Sequence, residues 1–235
     1  MKYFIIMILA LLPTFVIGYY IYNKDTEKEP LNYVLKLFLF GYIACLISAI
    51  CELTIDRFFD TPNTMIQKVL YYFLAIAFIE ELVKYLFLIF SSYKNKEYDQ
   101  VYDAIVYAVF IALGFATVEN VLYLFANSNS TTVIAIGTMR AILSVPTHAC
   151  MGIIMGYYMT LAKIEKSKKK EKLYLIQGFI IPFLAHGLFD TLLACEEYYM
   201  MALFVVVLGI IYIFSLTKID ELSGHNKKIK KIKKS

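Results

Sequence analysis

The stretch Phe78–Tyr85, FIEELVKY, decides how this chain is read. Glu80, Glu81 and Lys84 sit inside a run that is otherwise apolar from Val69 to Phe90. Charge inside a long apolar run is costly: each charged side chain at the centre of a membrane helix costs about 2.5–3.5 kcal/mol on insertion scales. Three in one span cost roughly 8 kcal/mol unless they are partnered. The partners must lie on the same helix or on neighbours.

Working outward, the same apolar character recurs. The 235 residues are 60% hydrophobic and only 18% charged, against roughly 25% charged in a soluble domain. Apolar segments fall at about 3–22, 33–51, 69–90, 101–125, 132–162, 173–194 and 199–217. This pattern predicts an all-α, polytopic membrane protein of about seven transmembrane helices. With five prolines and no Ser- or Gly-rich linker, residues 1–217 read as one transmembrane domain and 218–235 as a basic tail. Pro146 is expected to kink or divide the fifth span.

Lysine placement orients the chain. The regions near 23–32, 91–100 and 163–172 and the tail from 218 hold 2, 2, 6 and 7 Lys, while the opposite side holds only Lys2, Arg57 and Lys68. The positive-inside rule then sets the N-terminus outside and the C-terminus in the cytoplasm. Treating the first segment as a cleaved signal would export the KKIKKIKK tail, so it is kept as a span. The basic loop and tail are read as contacts for anionic inner-leaflet lipids, each Lys contributing about 1 kcal/mol near the surface. Nucleic-acid binding is set aside.

Cys45, Cys51, Cys150 and Cys195 form no CxxC and read as apolar filler. Cys150 lies two residues after His148, on nearly the opposite side of a helix, so it is not expected to be a nucleophile activated by that histidine. No internal repeat of the kind common in transporters is visible.

The ionisable groups inside the spans are the informative ones. The third span carries Glu80, Glu81 and Lys84, the fourth Glu119 followed by Asn120, the fifth Arg140 and His148, the sixth His186 and Asp190. Spacing pairs them: Glu80 with Lys84, His186 with Asp190, and Phe115 with Glu119 are i, i+4, and Arg140, Ser144 and His148 line one face. Alternating span directions bring all of these between mid-membrane and the outer half. Side chains of four helices would then converge on one wet chamber, since unpaired charge in dry hydrocarbon is not tolerated. Gly114, Gly152, Gly156 and Gly187 read as close helix packing.

A carboxylate in such a pocket can act as a general base near neutral pH. A histidine can donate to a developing oxyanion, and Asp190 can orient His186. The set suits attack of water on a peptide carbonyl. Glu80, Glu81, Lys84, Glu119, Asn120, Arg140, His148, His186 and Asp190 are the candidate site residues.

At these residues the sequence resembles the PrsW-type glutamic intramembrane proteases of the CAAX-protease and bacteriocin-processing superfamily. The resemblance rests on EELVK at Glu80–Lys84, GFATVEN at Gly114–Asn120, RAILSVPTHACMGIIMGYY at Arg140–Tyr158 and HGLFD at His186–Asp190. Asp103 also matches the acidic start of the family's fourth span, and the likeness covers about 80–195. It implies a metal-independent, cofactor-free protease with its core at about 69–195, in a bacterial cell membrane, with Glu80 and Glu81 as the catalytic glutamates, His148 and His186 as further catalytic candidates, and Lys84, Glu119, Asn120, Arg140 and Asp190 supporting them. The implied role is first-site cleavage of a single-span anti-sigma factor in stress signalling. Phe115–Glu119 reads FxxxE where the wider superfamily has FxxxH, which weakens any transfer of prenyl-protein processing. Two other classes remain: a proton-coupled transporter using the same Glu, His and Asp cluster, and a metal-dependent form of the protease with Glu80, Glu119, His148 and His186 as conceivable ligands.

Overall fold

The computed structural model describes residues 2–58, 61–128, 131–195, 197–224 and 229. The apolar runs become helices α1 (Lys2–Lys24), α2 (Leu31–Ile55), α3 (Met65–Leu70), α4 (Phe78–Ser92), α5 (Asp103–Ala126), α6 (Val133–Met139), α7 (Val145–Ile164), α8 (Lys168–Leu193) and α9 (Tyr198–Gly224). Among the described residues, six helical stretches are long and apolar enough to cross a membrane, with Val133–Ile164 counting as one. The other expected span lies in the unbroken helical run Met65–Ser92. Its charges at Glu80, Glu81 and Lys84 make it too polar to qualify on composition alone.

Helix α5 is the centre of the bundle, with 72% of its apolar window buried against 17% for α9. Lipid tails are as apolar as leucine, so helices associate through close packing rather than hydrophobic exclusion. Glycines supply that closeness on both flanks of α5. A Cβ on Gly114 would stand 2.0 Å from the Phe38 carbonyl oxygen of α2, and one on Gly41 2.0 Å from that of Ile111. On the α7 side, a Cβ on Gly156 would stand 2.5 Å from the Ala104 carbonyl oxygen. Any larger residue would push these backbones apart.

Two helices change pitch to a π turn just ahead of their polar residues. Tyr71–Ala77 is π-helical before α4, and Arg140–Ser144 before α7. Such turns add a residue to a helical circuit and re-aim the side chains of the next turns, often at functional sites. Pro146, early in α7, is where the fifth span was expected to break. Its missing N–H and the π turn free nearby carbonyls. The Tyr212 hydroxyl from α9 reaches two of them, Ile142 O at 3.4 Å and Leu143 O at 3.3 Å.

The lysine-rich connections gather at one end. Lys24 pairs with Asp220 at 3.1 Å, Tyr93 Oη donates to Glu171 at 2.9 Å, and Lys163 Nζ donates to the Tyr93 carbonyl. This is the grouping that the lysine count requires. Helix α9 continues to Gly224. The rest of the basic tail, apart from Ile229, lies outside the described residues.

Candidate active site

The π turn before α4 ends at Ala77, and Glu80, Glu81 and Lys84 lie within the next two turns, all buried. Lys84 reaches back along its own helix: Nζ lies 2.6 Å from Glu81 Oε1 and 3.4 Å from Glu80 Oε2. It also stands 3.3 Å from His148 Nδ1 and 4.2 Å above the Phe115 ring. The spacing read from the sequence thus gives the Glu–Lys pairs, and α5 and α7 supply the other walls.

Each histidine is held on both ring nitrogens. His148 Nε2 lies 2.8 Å from Glu119 Oε2, opposite the Lys84 contact. His186 Nδ1 lies 2.7 Å from Glu81 Oε1, and its Nε2 lies 3.3 Å from Asp190 Oδ2. The two rings meet edge to face with centroids 5.2 Å apart. Carboxylates on ring nitrogens fix tautomer and orientation. A doubly protonated His186 would donate to Glu81 and Asp190 together.

Behind His148 a second layer locks Glu119. Arg140 Nη2 pairs with Glu119 Oε1 at 2.9 Å, and Arg140 Nε donates to Asn120 Oδ1 at 2.6 Å. The guanidinium also stacks over Tyr123 at 4.6 Å. All nine candidate residues therefore fall in one connected network.

A cavity of about 140 Å³ opens onto this network. Glu80, Glu119, Arg140, His148, His186 and Asp190 are among its lining residues. That is room for a few water molecules, each of which takes about 30 Å³ in the liquid. Glu80 lines the cavity, whereas Glu81 lies behind it, fully buried between Lys84 and His186. The cavity extends toward Asp190 and Leu193, away from the lysine-rich start of α8.

One acidic residue escapes a reading of the sequence. Glu52 falls one residue beyond the apolar segment at 33–51, but α2 continues to Ile55. Its Oε1 is buried without a hydrogen-bond partner among the described residues, as is Ser48 Oγ one turn earlier. Glu52 lies within electrostatic range of Glu119, His186 and Lys84. The signal available is the i, i+4 spacing of Ser48, Glu52 and Asp56, which marks a polar edge on an otherwise apolar helix.

Comparison with known proteins now decides the family. Residues 29–216 match the model of the PrsW family, described as "PrsW family intramembrane metalloprotease". The chain belongs to the PrsW family. It is 34% identical over 227 residues to the Protease PrsW of Clostridioides difficile, covering 95% of this chain and 94% of the relative. With that of Geobacillus kaustophilus it shares 38% over 209 residues, covering 88% and 87%. With that of Bacillus subtilis it shares 32% over 190 residues, covering 79% and 83%. No solved structure matches the chain. As a PrsW protein it is a peptidase and a multi-pass protein of a bacterial membrane, and its substrates are membrane proteins.

The family description names a metal where the sequence resemblance implied none. The donor set can be tested against it. One ligand atom each from Glu80, Glu81, His148 and His186 lie within 4.8 Å of one another. Two imidazoles and two carboxylates suit a divalent transition metal. Glu119 and Asp190 hold the far ring nitrogens, as supporting carboxylates do around metal-bound histidines. Glu81 Oε2 is buried and unpartnered among the described residues. The residues fit a metal.

Proposed function

We propose that this protein is an intramembrane endopeptidase in which Glu80, His148, His186 and Glu81 carry the chemistry. The observation that supports this best is the convergence of buried Glu80, His148 and His186 from three helices on one small cavity, with Glu81 directly behind them. Glu80 faces the cavity and is the residue placed to take a proton from a water there. Glu81 holds Lys84 and His186 in position rather than meeting the water. His148 and His186 border this position, and a ring N–H would reach the oxyanion formed on the attacked carbonyl only by leaving its present carboxylate partner, Glu119 for His148 and Glu81 or Asp190 for His186. Arg140 and Asn120 fix Glu119, and Asp190 fixes His186, so both rings are oriented before substrate arrives.

The glutamic type of catalysis is the reading the hydrogen-bond network favours as it stands, because Lys84 already supplies the positive charge among the carboxylates. The donor set favours a second, metal-dependent reading. In that case Glu80, Glu81, His148 and His186 would hold the ion, which would supply a Lewis acid and an activated water. Activity that survives exhaustive chelation would exclude the second reading. Activity lost to a chelator and restored by zinc would exclude the first.

The substrate we propose is a single-span anti-sigma factor, cut on the outer side of the membrane as the first step of a stress signal. Co-expression with candidate anti-sigma factors, with mapping of the new end, tests this. The expected result is one cut that vanishes in Glu80→Gln, Glu81→Gln and His186→Ala while each variant still inserts. Wild-type cleavage by all three would end the peptidase assignment of this cluster.

A further inference from the structure

The least expected member of the cluster is Lys84. Its ammonium lies within 3.4 Å of an atom on three of the four residues that would hold a metal: Glu80 Oε2, Glu81 Oε1 and His148 Nδ1. The fourth residue, His186, is tied through Nδ1 to the same Glu81 oxygen. Among the described residues no other lysine or arginine stands at these atoms, because Arg140 is engaged with Glu119 and Asn120 on the far side of His148. Phe115 presents its ring face to the ammonium and closes the remaining direction with an aromatic surface that favours a cation.

Two cations cannot share this place. A metal ion and an ammonium a few ångströms apart in a medium of low dielectric repel strongly. Both would also compete for the same carboxylate oxygens.

We propose that Lys84 is the resident cation of the active centre, and that a divalent metal binds only where the Lys84 ammonium has left. Lys84 is thus a positioning residue with two consequences. With it in place, Glu80, Glu81 and His148 are pre-arranged around a fixed positive charge, without metal. With it displaced, the same atoms are free for a metal. The expectation of a metal-independent enzyme and the family's description then name two states of one site. This rests on the reading of the cluster as the active centre, but its test measures binding and is independent of any substrate.

The full-length protein in detergent or nanodiscs, stripped with a chelator, is titrated with zinc chloride alone. Binding is measured by calorimetry and by the shift in melting temperature. Lys84→Met should bind one zinc on the order of tenfold or more tightly than wild type, since the competing unit charge is gone. Its melting temperature should rise more on adding zinc than that of wild type. Adding Glu81→Gln to Lys84→Met should abolish the gain. Should Lys84→Met fail to fold when stripped, Lys84→Gln replaces it as a neutral residue that can still donate to Glu81. Should that fail too, expression in zinc-rich medium should rescue both variants, because the metal would neutralise Glu80 and Glu81 in place of the ammonium.

Equal or weaker zinc binding by the lysine variants overturns the proposal, as does absence of binding in every form. It is also overturned by zinc binding that survives Glu81→Gln, or by unfolded variants that zinc does not rescue. Peptidase activity of the wild type, measured separately, is unaffected by any of these outcomes. Failure here therefore stays distinct from failure of the proposed function.

Discussion

Among the described residues, two clusters of buried and half-buried acids stand apart, and they differ in what is packed with them. In the membrane interior, Glu80, Glu81, Glu119 and Asp190 are interleaved with Lys84, Arg140 and two histidines. At the lysine-rich end, oxygens of Asp25, Glu29 and Asp103 also lie within 4.8 Å of one another. There, among the described residues, no ion pair reaches Glu29 or Asp103. Asp103 instead accepts the backbone N–H groups of Asp99 and Gln100 at 3.0 and 2.8 Å. Burial pushes Glu29 up to about 7, with Asp25, Glu97 and Asp99 adding to the rise. One cluster surrounds its carboxylates with Lys84, Arg140 and two histidine rings. The other ties a loop to a helix start, and burial there shifts Glu29 toward its protonated form. Acid density alone is therefore a poor guide to an active site, and the interleaved base is the better one.

The sharpest way to break this contrast is to neutralise one acid in each cluster. Glu80→Gln should lower peptidase turnover by about 10²–10⁴-fold, the usual cost of losing a general base. Asp103→Asn should leave turnover within a factor of a few, because its oxygen contacts are backbone caps that an amide oxygen can still accept. Steady-state cleavage of one reporter substrate by both variants checks the pair. Comparable losses in the two would show that the lysine-rich end also takes part in the chemistry.

Asp190→Asn probes the outer layer of the interior cluster. The amide can still meet His186 Nε2 but no longer carries charge to hold the ring oriented. A loss of about 10–100-fold is expected, the range seen when a carboxylate behind a working histidine is removed. An unchanged rate would mean that Glu81 orients His186 alone.

The same contrast explains what can be read from the sequence. Glu80, Glu81 and Lys84 are conspicuous because charge in a long apolar run has few explanations, and i, i+4 spacing then pairs Glu80 with Lys84. Arg140, His148, His186 and Asp190 emerge by the same logic. Helix number and the grouping of the lysine-rich loops come from hydropathy and lysine count, since both depend on single-residue chemistry. The two π turns do not emerge, because pitch changes are set by tertiary contacts and leave no periodic mark in YYFLAIA or RAILS. Glu52 is lost because hydropathy ends the apolar segment one residue before it. The acids at the lysine-rich end stay hidden because Asp25, Glu29 and Asp103 are far apart in sequence and join only when α5 packs beside the first loop. The choice of Glu80 over Glu81 as the group facing water also needs the fold, since adjacent residues differ only by about 100° of helix rotation.

Glu52 tests where the interior cluster ends. If it belongs with the active centre electrostatically, Glu52→Gln should change turnover a few-fold, on the order of 1 kcal/mol in the barrier. The change should shrink when Glu119→Gln is combined with it, because coupled sites are non-additive. Additive effects would place Glu52 outside the network.

The smallest effect is expected at Glu29, and its sign is fixed by the direction of its shift. The ordinary value is 4.5 and the folded value about 7. Between these, the folded protein holds a proton that the unfolded chain has released. Stability must therefore fall as pH rises from about 4.5 through 7 and then level off. The loss should be on the order of 1 kcal/mol once solvent screening at this rim is allowed for. Glu29→Gln removes that term by making the group permanently neutral. Melting curves of wild type and variant should coincide near pH 5 and separate by pH 8, with the variant the more stable. A variant less stable than wild type at pH 8 would mean that Glu29 has a cationic partner there, as Glu81 has Lys84 and Glu119 has Arg140, and the division between the two clusters would fall.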